Sequence, residues 1–209
     1  MPGPHDQTAA KEPEPEPAIC GWLTLDIVHD AGDWTELDGV NAAIESVVRV
    51  LAAHALFTTH APSGVCIALS DDSAVGRLNG LYRGTDKPTN VLSFPAGGDA
   101  QEPGAETIFL GDVVLALETV LREAEGLGIA PLHHVQHLAI HGVLHLNGYD
   151  HETDEDAGVM EALEASILAV LGIASPHSHD MGQEDIDQVD MGPEDIGHQD
   201  GALEPAAGV

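Results

Sequence analysis

The sequence predicts a single α/β (α+β) domain, a small mixed β-sheet packed by several helices, and three observations carry that prediction. With 209 residues and 43% apolar content, the chain can bury the core of one domain. Along its middle, the apolar pattern switches repeatedly between a period of two and a period of 3.6 residues. Compositionally biased ends bracket this patterned stretch and set the domain at residues 18–175.

The elements follow in order. Trp22 to Val28 alternates and reads as a strand. Val40, Ile44, Val47, Val48, Leu51 and Leu56 recur at helical spacing, which predicts a helix over 40–56. Gly64 to Ser70 is a short strand of the buried type, after which Ser70 or Asp71 can cap a helix running to about Tyr82. Asn90 to Pro95 is a strand stopped by proline, and Thr107 to Ala116 continues the sheet. Helices are expected at about 116–127, 131–147 and 154–172, so the C-terminal half is helix-rich.

The ends differ from this core. Glutamate and proline alternate from Glu12 to Pro17, which forbids a helix and favours extended polyproline II. From Pro176 onward the chain is acidic and carries a short repeat, DMGQEDI at 180–186 and DMGPEDI at 190–196. Residues 1–17 and 176–209 therefore read as disordered acidic tails. The N-terminus has neither the basic nor the apolar region of a signal peptide, and no stretch of about 18 apolar residues occurs. A cytoplasmic protein without membrane contact is expected. Cys20 and Cys66, scattered in sequence, read as ordinary thiols of a reducing compartment.

Charge excludes more than it suggests. Six basic residues against 36 acidic ones leave −30, and between Cys20 and Ser175 the balance is 5 against 23, or −18. Such a surface repels polyanions at long range, most strongly at low salt, and taken alone argues against nucleic-acid binding. A salty cytoplasm would screen that repulsion.

One segment carries chemistry: His141-Gly-Val-Leu-His145-Leu-Asn-Gly148-Tyr-Asp-His151. Residues four apart share a helical face, so His141 and His145 can present imidazoles to one ion. Gly148 offers the positive φ that ends a helix, and the resulting turn can return His151 as a third ligand. Three neutral nitrogens and an open fourth position are what catalytic zinc requires, and zinc makes water a nucleophile near neutral pH. The spacing matches the zincin pattern H-E-x-x-H-x-x-G-x-x-H except at its second position, where Gly142 replaces the glutamate that activates water in the proteases. The metal geometry survives while the protease base does not.

HGVLHLNGYDH resembles the signature of the YbeY-type endoribonucleases. Two further blocks agree: Leu78-Asn79 with Tyr82-Arg83-Gly-Thr-Asp86-Lys87-Pro88-Thr89-Asn90-Val-Leu-Ser-Phe-Pro95, and Leu110-Gly111-Asp112-Val113. The likeness covers about residues 20–175. It implies an α/β fold with a zincin-like metal helix beside a small sheet. It also implies metal-dependent cleavage of single-stranded RNA, maturation of the small-subunit (16S) rRNA 3′ end, and ribosome quality control. His141, His145 and His151 carry over as ligands of one zinc ion, and Arg83 as an important basic residue.

The residues add their own support for Arg83. Three of the core's five basic side chains, Arg77, Arg83 and Lys87, fall within eleven positions and form the only sequence-local positive patch. A guanidinium can bind phosphate through two parallel hydrogen bonds and stabilise the charge that develops in phosphoryl transfer. Arg77 and Lys87 are substrate-binding candidates, although Lys87 could equally be solvated. Trp22, Trp34, Tyr82 and Tyr149 could stack bases or pack the core. Asp150 could orient a ligand histidine or brace its turn, and Asp112 reads as structural. No general base is evident, so either water or the RNA 2′-hydroxyl could attack.

Partners follow from the same reading: single-stranded RNA, with the small ribosomal subunit or its assembly factors, and neither DNA nor membrane. Two rivals stand beside it. One is a metallopeptidase-like hydrolase with an unusual base. The other is a ribosome-associated binding protein with a structural zinc, closed by a fourth ligand from His133, His134 or His137. His137 lies one helical turn before His141.

Overall fold

A computed structural model of the chain describes residues 18–20, 23–54, 62–97 and 107–175. Trp22, Leu56 and the two segments read as tails lie outside the described residues.

Among the described residues, five strands form one sheet in the order β1-β2-β3-β5-β4. Its centre is parallel: β2 (Leu23–His29), β3 (Ser63–Ser70) and β5 (Ile108–Ala116) run the same way. The short β1 (Ala18–Cys20) and β4 (Val91–Pro95) pair antiparallel at the two edges. The sequence did not announce β1, because three residues are too few to show a period; pairing with β2 makes them a strand. Neither did it announce the 3-10 turn at Trp34–Glu36, which is anchored by the indole Nε1 of Trp34 donating to the Ser70 carbonyl at 2.9 Å.

Alternation divides the sheet into two faces. Leu23, Leu25, Val65, Ile67, Leu69, Val113 and Leu115 join the main core with α1 (Val40–Ala53), α3 (Leu117–Leu127), α4 (Pro131–Leu146) and α5 (Asp154–Val170). Ala68, Leu92, Phe94, Val114 and Ala116 face the other way, onto Val75 and Leu78 of α2 (Asp72–Arg83). Of the two caps considered for α2, Asp71 is the one used, its carboxylate accepting from the Ala74 amide at 2.7 Å.

Helix α4 is the centre of the molecule. Every residue from His134 to Leu146 is buried, as expected of a helix enclosed on all sides. Its polar side chains are tied to neighbours. Gln136 donates to Ser46 Oγ of α1 at 2.9 Å, and His134 meets Glu123 of α3 at 2.8 Å. Glu123 in turn accepts from Asn90, just before β4, at 3.0 Å. Gly142 lets α4 sit hard against the sheet, and Ser93 Oγ of β4 donates to its carbonyl at 3.2 Å.

Candidate metal centre

Helix α4 ends as its sequence requires. The Gly148 amide bonds to the His145 carbonyl, Gly148 takes φ +83°, and the chain doubles back. His151 thereby returns to His141 and His145, with ring centroids 5.8 and 5.1 Å away. One ring nitrogen from each of the three lies within 4.8 Å of the others, and this is the one such metal-capable group found among the described residues.

The local chemistry fits a cation. His141 Nε2 and His145 Nε2 face each other at 2.7 Å, and His151 Nε2 is buried with no hydrogen-bond partner. Three inward nitrogens leave lone pairs that a divalent ion would satisfy. Burial pushes the His141 imidazole below its ordinary range, against the opposing pull of Glu164. Burial, then the neighbouring His141 and His151, bring His145 down to about 3. Both are neutral at pH 7, the form in which imidazole binds metal.

Sequence reasoning missed Glu164. This glutamate of α5 is 1% exposed, with Oε1 2.5 Å from His141 Nδ1 and Oε2 3.4 Å from His137 Nε2. A signal existed: Met160, Leu163, Ile167 and Leu168 mark the buried face of α5, and position 164 falls on it. Asp150 takes the bracing role rather than the orienting one, its Oδ1 accepting from the Glu152 amide at 3.0 Å. Asp112 is half-buried on the α2 face, opposite Cys66 in the β3–β5 ladder.

The basic residues lie on α2 and just after it. Arg83 is half-buried in the last turn of α2, Arg77 donates to Ser73 Oγ at 2.9 Å, and Lys87 is exposed in the loop that follows. Helix α2 covers the sheet face opposite α4. Both helices nevertheless end at the same corner of the β4–β5 ladder. Tyr82 packs edge-on against Phe94 at 5.2 Å, and Leu146 reaches Gly111, which pairs with Pro95. Among the described aromatic candidates, Trp34 is buried and Tyr149 packs on the main core, while Tyr82 is 57% exposed. Gly148, Tyr149, Asp150, Asp156 and Val159 line a cavity of about 260 Å³ beside the histidine turn.

Fold and site together define an α+β protein with a three-histidine centre able to hold a metal ion, two of its histidines buried on a helix that lacks the zincin glutamate. The model of the family "Endoribonuclease YbeY" matches residues 31–172, and the chain belongs to that family. The endoribonuclease YbeY of Rhodospirillum rubrum is 52% identical over 164 residues, covering 73% of this chain and 80% of that one. That of Parvibaculum lavamentivorans is 43% identical over 166 residues, covering 76% and 86%. A solution structure of TM1509 from Thermotoga maritima is 22% identical and covers 77% of this chain and 99% of its own, with a TM-score of 0.41. No helix among the described residues is long and apolar enough to cross a membrane.

Proposed function

We propose that this protein is a zinc-dependent endoribonuclease that cuts single-stranded RNA, acting in maturation of the 16S rRNA 3′ end and in ribosome quality control. The observation that carries the reading is the convergence of His141, His145 and His151 in a member of this family. His141, His145 and His151 would hold the zinc ion, which when bound would supply Lewis acidity to phosphodiester cleavage. Three imidazoles also suit other late divalent ions, so the ion's identity rests on chemistry and not on geometry.

The chain's own residues do the rest. His141, His145 and His151 hold the ion, and Arg83 binds the phosphate and offsets its developing charge. Arg77 and Lys87 extend that cationic strip along the substrate. Tyr82, exposed beside Arg83, offers its face to a base. The corner shared by the ends of α2 and α4 lets a strand contact both layers. The −18 core charge makes unaided approach to RNA unfavourable at low salt, so docking on the small subunit or an assembly factor supplies the encounter.

The peptidase reading is disfavoured by Gly142, which is packed against Val113 and leaves no room for a glutamate. The structural-zinc reading is disfavoured by His137, which turns to Glu164. The test is incubation of the zinc-loaded protein with single-stranded RNA, duplex RNA, single-stranded DNA and casein, with and without chelator. Cleavage of single-stranded RNA alone, lost on chelation, is expected, and the product termini identify water or the 2′-hydroxyl as nucleophile. Intact RNA, or digested casein, overturns the reading.

A further inference from the structure

Glu164 is a buried carboxylate on α5 placed between two histidines of α4, and the metal-ligating role uses only one of them. Its Oε1 meets His141 Nδ1 at 2.5 Å and its Oε2 lies 3.4 Å from His137 Nε2. All three side chains are at least nine-tenths buried. A carboxylate has only lone pairs to offer, so the facing nitrogen of His141 must carry a hydrogen. We propose that Glu164 is a positioning residue for the metal centre. It fixes His141 as the Nδ1–H tautomer, leaving the Nε2 lone pair aimed at His145 and His151, and engages His137 so that it stays outside the ligand set.

Two features of the structure support this division of labour. On a helix, His137, His141 and His145 stack at successive turns, so His137 shares the ligands' face by spacing alone. Yet the metal-capable set comprises His141, His145 and His151, and the nitrogen of His137 turns to α5. A carboxylate bridging both histidines explains how three imidazoles of one helical face yield two ligands and one support. A site with three protein ligands keeps a position open, and a fourth histidine would close it. The inference rests on the metal reading of the histidine cluster but not on the RNA reading.

The experiment is zinc competition against a chromophoric chelator with the full chain, alongside E164A, E164Q and H137A. Glutamine can still accept from His141 Nδ1–H, so E164Q should bind zinc more tightly than E164A, which should lose roughly 10–100-fold in affinity. H137A should keep one zinc per chain. Long-range ¹H–¹⁵N correlation of the zinc-loaded parent should show His141 protonated on Nδ1 and bound through Nε2, a readout that a purely architectural Glu164 would not require. If E164A fails to fold, the tautomer and the E164Q affinity still decide. Parent-like affinity in folded E164A, a His141 bound through Nδ1, or loss of zinc in H137A would overturn the proposal. Retained RNA intactness with this zinc pattern would instead refute the nuclease reading and leave the positioning role standing.

Discussion

A β-carbon added to Gly142 would stand 2.5 Å from Cγ1 of Val113, closer than two such carbons can approach. That contact seats α4 on β5 and fills the space the zincin glutamate would need. Alanine gains about 1 kcal/mol in helix propensity over glycine, but overpacking a tight core costs about 1–3 kcal/mol, and here the overlap involves a β-branched neighbour with little freedom. Gly142→Ala should therefore lower the urea midpoint, and Gly142→Glu should lower it further without conferring peptidase activity. An unchanged midpoint in both variants would mean that the helix rides higher than described.

Cys66 should behave as an unreactive thiol. Burial first, then the charge and hydrogen bond of Asp112, push it up to about 12 from an ordinary 9.0. At pH 8 its thiolate fraction should fall by about a thousandfold relative to the unfolded chain, and alkylation should slow in proportion. Because the folded pKa is raised, the associated stability is fully present below pH 9 and is lost as pH rises toward 12. Asp112→Asn should speed alkylation of Cys66, as read by mass spectrometry.

His145 gives the opposite pH signature. Its folded pKa, about 3, lies below the unfolded 6.5. The metal-free protein should thus lose stability as pH falls from 6.5 toward 3, where the unfolded chain takes a proton that the folded chain refuses. His145→Gln should flatten that acid limb of the denaturation midpoint plotted against pH. A parent midpoint flat over this range would contradict the burial of the ring.

On the proposed reading, Arg83 should separate binding of metal from turnover of RNA. Arg83→Ala should retain the parent's metal content and lose about 100-fold or more in RNA turnover. Lysine should rescue poorly, since a point charge lacks the planar fork. Parent-like turnover in Arg83→Ala would remove the residue from the machinery.

The sequence made α4 and its turn legible because i, i+4 histidines followed by a glycine leave few geometries open. Most element boundaries fell within three residues for the same reason, since strand and helix periods alternate cleanly. The support behind the three histidines was less visible. Glu164 resembles any helical glutamate until its apolar neighbours Met160, Leu163, Ile167 and Leu168 are read as a buried face. The placement of α2 on the sheet face opposite α4 was invisible, because it depends on which face of the strands α2 covers. The bulge at Leu110, with Gly111 at φ +139° against the Phe94 carbonyl, was likewise hidden, since it belongs to the strand pairing and to no single segment.

The most direct test of the metal centre is elemental analysis of the purified full chain offered zinc, beside His141→Ala, His145→Ala and His151→Ala. About one zinc per chain in the parent, lost in all three variants, is the predicted result. A parent that takes up no metal, or a folded His145→Ala variant that keeps a full equivalent, would contradict the account at its centre.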